Sequence, residues 1–209
     1  MGGLCNSAVG VSFIGAGNLN STNANYSFIG NGISNSITGW CSSIVGGVSN
    51  NASTANIFIG GGCCNTASAI FSSVVGGANA TSYLYGQSSL ANGLFAANGD
   101  AQQSILTARN ADVALTTGGT TLLSLDGTGA TNLLTPTGTN RAWNVTVTWS
   151  SFVTTITGTA TGISVGDVIT SIDYFAFKKV GGLSSISVIA PAPISELVTT
   201  PAAYTSALL

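Results

Sequence analysis

Five consecutive segments of the chain share a frame of fifteen residues that never slips, and that frame limits the fold more than anything else in the sequence. The segments open Ser12-Phe13-Ile14-Gly15-Ala16-Gly17, Ser27-Phe28-Ile29-Gly30-Asn31-Gly32, Ser42-Ser43-Ile44-Val45-Gly46-Gly47, Ile57-Phe58-Ile59-Gly60-Gly61-Gly62 and Ser72-Ser73-Val74-Val75-Gly76-Gly77. Position 6 is always Gly, and counting back by fifteen reaches Gly2. Position 3 is always Ile or Val. Position 9 runs Asn20, Asn35, Asn50, Asn65, Ala80. A short fixed period is the mark of a solenoid, in which each repeat closes its core only by stacking on the next.

Each column has a physical reading. A Gly column suits a corner with positive φ or close backbone approach. The Asn column suits a turn, since Asn tolerates the left-handed region; stacked at one coil position it can also form a hydrogen-bonded ladder. The β-branched column suits a strand facing a narrow core. Together they predict one short strand and one or two turns per coil, with five coils rising about 24 Å at about 4.8 Å each.

Positions 2 and 4 lie on the other face of that strand. Their pairs are Phe13/Gly15, Phe28/Gly30, Ser43/Val45, Phe58/Gly60 and Ser73/Val75. A large residue at position 2 goes with Gly, a small one with Val, so the volume stays nearly constant, as packed interiors require. Both strand faces are therefore expected to be packed. A fifteen-residue coil is too thin to bury both, which points to another chain against the second.

The charge distribution supports this. Residues 1–99 contain no Lys, Arg, Asp, Glu or His, and charged residues are 5% of the whole. A lone domain with so little charge is poorly soluble, so much of its surface is expected to be hidden in an assembly. The formal net charge of −2 and the lack of a basic patch leave no grip on nucleic acid. No apolar run approaches the roughly 18 residues of a membrane span, so no membrane insertion is expected. Met1-Gly2-Gly3 does not open a secretory leader; because the chain starts inside a repeat, Met1 reads equally well as an internal start.

The rhythm weakens after Tyr83-Leu84-Tyr85-Gly86. Asn92-Gly93 falls at the next corner, and residues 93–101 read as a degenerate last coil capping the stack. Beyond residue 102 the texture becomes that of ordinary strands: 104–108, 113–115, 120–125 with the turn Asp126-Gly127, 143–149, 152–161, 168–177 and 183–189. In Trp143–Trp149 the positions Trp143, Val145, Val147 and Trp149 share a face. From Pro191 onward the tail reads as an extended arm. The chain is thus expected to be all-β: a β-solenoid over 1–101, a small antiparallel sandwich or prism over 102–190, and an arm over 191–209.

Chemistry is poorly supplied. With no histidine, Ser-His-Asp and Cys-His systems are excluded. Of the six acids (Asp100, Asp112, Asp126, Asp167, Asp173, Glu196), Asp126 and Asp167 adjoin glycines as turn residues do, and no pair stands out as the two carboxylates of a glycosidase. Asp173 with Lys178 or Lys179 reads as a surface pair. Cys5, Cys41, Cys63 and Cys64 lack C-x-x-C spacing and read as small buried apolar residues; as strand neighbours, Cys63 and Cys64 should point to opposite faces. Sequons at Asn20, Asn25, Asn51, Asn79 and Asn144 are what chance supplies in a chain this rich in Asn, Ser and Thr. An ice-binding row of Thr is not formed by position 10 (Ser21, Ser36, Asn51, Thr66, Thr81) or position 11 (Thr22, Ile37, Ala52, Ala67, Ser82). No catalytic, cofactor-binding or metal site is expected.

The repeat Ser-Phe-Ile-Gly-x-Gly with its Asn resembles the head repeats of trimeric autotransporter adhesins. With Gly61-Gly62, Asn65-Thr66-Ala67-Ser68 and Ser72–Gly77 it looks more like the related repeats of phage tail fibres and viral fibre proteins. Ala97-Asn98-Gly99-Asp100-Ala101-Gln102, Leu125-Asp126-Gly127 and Arg141-Ala142-Trp143 are similar to the segment that follows such repeats in phage fibres. Over residues 10–180 the resemblance implies a trimeric β-roll and parallel homotrimers without a cofactor. A structural fibre, spike or decoration subunit on the virion surface follows. It would join other virion proteins through a terminus and could meet a host glycan or receptor. A cell-surface adhesin or extracellular filament subunit is the alternative.

Overall fold

The computed structural model describes residues 2–109, 124–126, 141–152, 168–179 and 187–191. The chain divides into two compact units, Met1–Thr135 and Pro136–Leu209. The first is a β-solenoid of about six turns, and no described residue is helical.

Each coil contributes two short strands rather than the single one expected. One set is β2 (Phe13–Ile14), β4 (Phe28–Ile29), β6 (Ser43–Ile44), β8 (Phe58–Ile59), β10 (Ser73–Ala78) and β12 (Ser88–Asn92). The other is β1 (Ser7–Ala8), β3 (Ser21–Thr22), β5 (Ser36–Ile37), β7 (Asn51–Ala52), β9 (Thr66–Ala67) and β11 (Thr81–Ser82). Within each set, neighbours pair in parallel, giving two sheets along the stack. A third row of single bridges joins Leu4, Asn18, Ile33, Val48, Cys63 and Ala78 at position 7. Ser21 begins β3.

The core runs down the axis as the β-branched column requires. Ile14, Ile29, Ile44, Ile59 and Val74 stack and are buried. Each such side chain contributes about 1.5–3 kcal/mol of burial. Position 11, too mixed to form a regular outer row, faces inward: Thr22, Ile37, Ala52, Ala67 and Ser82 are buried.

The Asn column lines the same core as a ladder. Asn20, Asn35, Asn50 and Asn65 are fully buried. Oδ1 of each accepts the backbone N–H at position 9 of the following coil, at 2.8–3.1 Å. The left-handed turn residue is the one before it. Leu19, Ser34, Ser49, Cys64 and Asn79 have φ between 56° and 62°, and the last position of the coil repeats the device with Tyr26, Cys41, Asn56 and Phe71 at 54–59°. The position-6 glycines have larger φ, from 92° at Gly77 to 118° at Gly32. A Cβ on Gly32 would also collide with the carbonyl oxygen of Gly47, so positive φ and close approach both apply.

The frame is not fifteen residues throughout. Ser7 pairs with Ser21 and Leu4 with Asn18, so the first coil has fourteen. Its turn is Val9-Gly10-Val11, where later coils have four residues such as Asn23–Tyr26. Gly3 (φ 91°), not Gly2, therefore occupies the corner column. The last coil is short as well. After Val74↔Ser89 the register moves to Gly76↔Leu90 and Gly77↔Ala91. Ala91 thus stands at the corner, and Gly93 takes the left-handed position, its N–H donating to Ala78 O at 3.1 Å.

Residues 93–101 form a reversal, not a degenerate coil. The Asp100 carboxylate accepts the backbone N–H groups of Phe95, Ala96 and Ala97 at 2.7–2.9 Å. The chain then returns as β13 (Gln102–Ile105), antiparallel to β12, and covers the edge of the first sheet. At the edge of the second sheet a side chain replaces a strand: Gln102 Oε1 accepts Thr81 N–H at 2.8 Å and Nε2–H donates to Thr81 O at 2.9 Å. A bridge between Arg109 and Ser124 follows. The expected strand 113–115 and most of 120–125 lie outside the described residues.

In the second unit β14 (Arg141–Phe152), β15 (Val168–Lys179) and β16 (Ser187–Pro191) form a three-stranded antiparallel sheet in that order. β14 and β15 pair without interruption from Arg141↔Lys179 to Phe152↔Val168, and this register sets Asp173 opposite Val147. β14 and β15 are longer than the sequence pattern predicts. β16 runs to Pro191, so that residue ends a strand; residues 183–186 of the expected last strand lie outside the described residues. Asp112, Asp167, Glu196, residues 153–161 and the arm 192–209 lie outside the described residues.

Candidate functional site

The two sheets of the solenoid present opposite chemistry outward. On the second sheet, position 10 offers Ser21, Ser36, Asn51, Thr66 and Thr81, all half-buried and polar, with Asn23, Thr38, Ser53 and Ser68 two residues on. On the first sheet, position 2 offers Phe13, Phe28 and Phe58, which are 54%, 42% and 47% exposed, and position 4 offers Val45 and Val75, 49% and 59% exposed. Five coils are thus apolar on one outer face and hydroxyl- or amide-bearing on the other. Within one chain the first face remains open.

The Phe/Gly and Ser/Val pairing has a local cause as well as a volumetric one. A Cβ on Gly15 would lie 3.4 Å from the Phe13 ring and would collide with Gly30 O. Gly30 stands likewise to Phe28 (3.5 Å) and Val45 O, and Gly60 to Phe58 (3.5 Å) and Val75 O. Each ring therefore folds over its own glycine two residues on. Where both neighbouring coils carry Phe, the rings of Phe13 and Phe28 stack at 5.6 Å with an interplanar angle of 6°. The result is a low, continuous apolar surface. Beyond the glycine corner, in the position-7 row, Val48 and Ile33 are 42% and 49% exposed.

The cysteines are not where the sequence places them. Cys5, Cys41 and Cys63 are exposed and Cys64 is half-exposed. Cys63 and Cys64 share one environment, their sulfurs 2.9 Å apart. Cys64 has φ 58°, so it is not extended and strand alternation does not apply to it. Its thiol is raised above the ordinary value, chiefly by the hydrogen bond with Cys63, then by burial and the charge of Cys63.

The other polar groups are absorbed in structure. Asp100 organises the reversal. Gln87 Oε1 accepts Tyr83 N–H and Leu84 N–H at 2.9 and 3.0 Å, and its Nε2–H donates to Ser104 Oγ at 2.8 Å. Arg109 donates to Asp126 O at 3.3 Å. Among the described residues no three metal-ligating side chains cluster.

The chain matches no protein-family model, and no curated protein and no solved structure matches it significantly.

Proposed function

We propose that the chain is a non-catalytic structural subunit of a virion fibre, spike or decoration: one protomer of a parallel homotrimer whose subunits meet through the outer face of the Phe13–Phe28–Phe58 sheet. The contrast between the two outer faces carries the association. Burying a Phe or Val side chain is favourable by about 1.5–3 kcal/mol, whereas the Ser, Thr and Asn face gains nothing comparable by leaving water. The lack of any charge over residues 1–99 removes the desolvation cost that opposes such a contact. Closed three-fold symmetry satisfies an apolar face on every copy without open-ended growth.

The viral setting and attachment to a host surface rest on the resemblance of the repeat, and of residues 97–102 and 141–143, to fibre proteins. On the same reading, the antiparallel strands of the second unit belong to a small sandwich or prism beyond the solenoid. Antibody raised against residues 2–101 tests the setting. Gold label on projections of purified particles is the expected result; label confined to cell surfaces, with unlabelled particles, overturns it.

A further inference from the structure

We propose that Cys63 and Cys64 form a thiol–disulfide exchange site on the solenoid surface, which takes a small disulfide as oxidant and closes into a disulfide between adjacent residues. The two sulfurs lie 2.9 Å apart, with Cys63 exposed and Cys64 half-exposed. The backbone beneath them is held by the stack. Cys63 N–H donates to Gly77 O at 3.0 Å, Cys64 N–H to Val48 O at 2.9 Å, and Cys63 O accepts Asn79 N–H at 3.0 Å. Cys63 bridges Val48 on one side and Ala78 on the other. The thiols are thus fixed together by a frame made for another reason, the left-handed position 8. The same two positions hold Ile33-Ser34, Val48-Ser49 and Ala78-Asn79 in nearby coils, so this coil alone carries the pair.

The exchange balances with one disulfide, R–S–S–R. The thiolate of Cys63, the more exposed residue, attacks one sulfur of the reagent; the R–S–S–R bond breaks, Cys63 carries a mixed disulfide, and one thiol leaves with the proton Cys63 gave up. Cys64 Sγ then loses its proton and attacks Cys63 Sγ, releasing the second thiol. Both cysteines are oxidised and one reagent disulfide is reduced to two thiols. A trans peptide holds adjacent Cα atoms about 3.8 Å apart, closer than the roughly 4.4–6.8 Å of an ordinary disulfide. The closed form is therefore strained and easily reduced, an exchange site and not a staple.

The remaining thiols act as internal controls. Cys5 stands in the Cys64 column but four coils away, about 19 Å at the strand spacing of a sheet, and Cys41 occupies the other left-handed corner. Neither has a resolving partner. Intact protein treated with excess dithiobis(nitrobenzoate) should release four coloured thiolates per chain yet retain only two adducts, mapped to Cys5 and Cys41, with the peptide holding Cys63 and Cys64 lighter by two hydrogens. Cys64→Ser should release three and retain three, one of them on Cys63. Adducts retained on both Cys63 and Cys64, chain-to-chain disulfides through either, or no reaction at the pair would each overturn the proposal. The wild-type ratio of release to adducts decides the matter even if the variant does not fold.

Discussion

Oδ1 of Asn35 accepts two hydrogen bonds from Asn50, from the backbone N–H and from Nδ2–H, each at 3.0 Å. The Asn35 amide in turn donates to Asn20 Oδ1 at 3.0 Å and to Gly47 O at 2.8 Å. One buried side chain therefore ties three coils together.

Removing it should be costly. Asn35→Ala leaves Asn50 N–H without a partner in a site closed to water, while Asn20 Oδ1 and Gly47 O each lose one donor and keep another, the backbone N–H of Asn35 and of Ile33. A buried group left unsatisfied costs about 1–3 kcal/mol, and with the lost side-chain bonds a loss of about 2 kcal/mol or more is expected. Urea unfolding followed by circular dichroism measures it. Ser36→Ala, on the polar outer face next to it, should change stability by less than about 0.5 kcal/mol.

Two glycines from adjacent columns, Gly32 at position 6 and Gly76 at position 5, should respond in opposite ways. Gly32→Ala places a Cβ against Gly47 O at φ 118°, where relief requires the coils to part. A loss above about 3 kcal/mol is expected from steric strain of this kind. A Cβ on Gly76 meets nothing within 4 Å and its φ is not positive. Gly76→Ala should be neutral or should stabilise by up to about 1 kcal/mol through the unfolded chain. Paired melting curves read both.

Gln102 holds the edge of the second sheet by imitating a strand at Thr81. Gln102→Leu should expose that edge, which sheets otherwise pair with another chain. Faster hydrogen exchange at Thr81 and in residues 95–105, with a greater tendency to aggregate, is the expected result; Asn35, deep in the stack, should keep its protection.

The solenoid was legible in the sequence because its main determinants are residue types with few alternatives. Gly at position 6 answers a clash and a φ that other residues resist, and Ile/Val at position 3 answers a dry core. The second strand row was not legible, since position 11 varies from Thr22 to Ile37 to Ala52 while staying buried. The left-handed columns were hidden for a similar reason. Leu19, Tyr26, Cys41 and Phe71 have no preference for that region, and the hydrogen bonds of the stack hold them there. The cysteine assignment failed at the same place: alternation was assumed at Cys64, where the chain is not extended. The fourteen-residue first coil was missed because Gly2 and Gly3 are the same residue and either completes the column. The apolar face was legible from the Phe/Gly and Ser/Val exchange, although at Gly15, Gly30 and Gly60 a Cβ would meet the next coil's carbonyl oxygen as well as the ring.

The mass in solution of the intact protein and of Phe28→Asp, read by light scattering on a size-exclusion column, tests the central claim most directly. Phe28 lies mid-face, stacked on Phe13, and a carboxylate there would be buried without a partner in the assembly, at a cost of several kcal/mol. The wild type should have three times the 20.7 kDa of one chain, and Phe28→Asp should be monomeric, while Ser21→Asp on the polar face remains a trimer. A monomeric wild type, or a Phe28→Asp trimer of unchanged stability, would contradict the account.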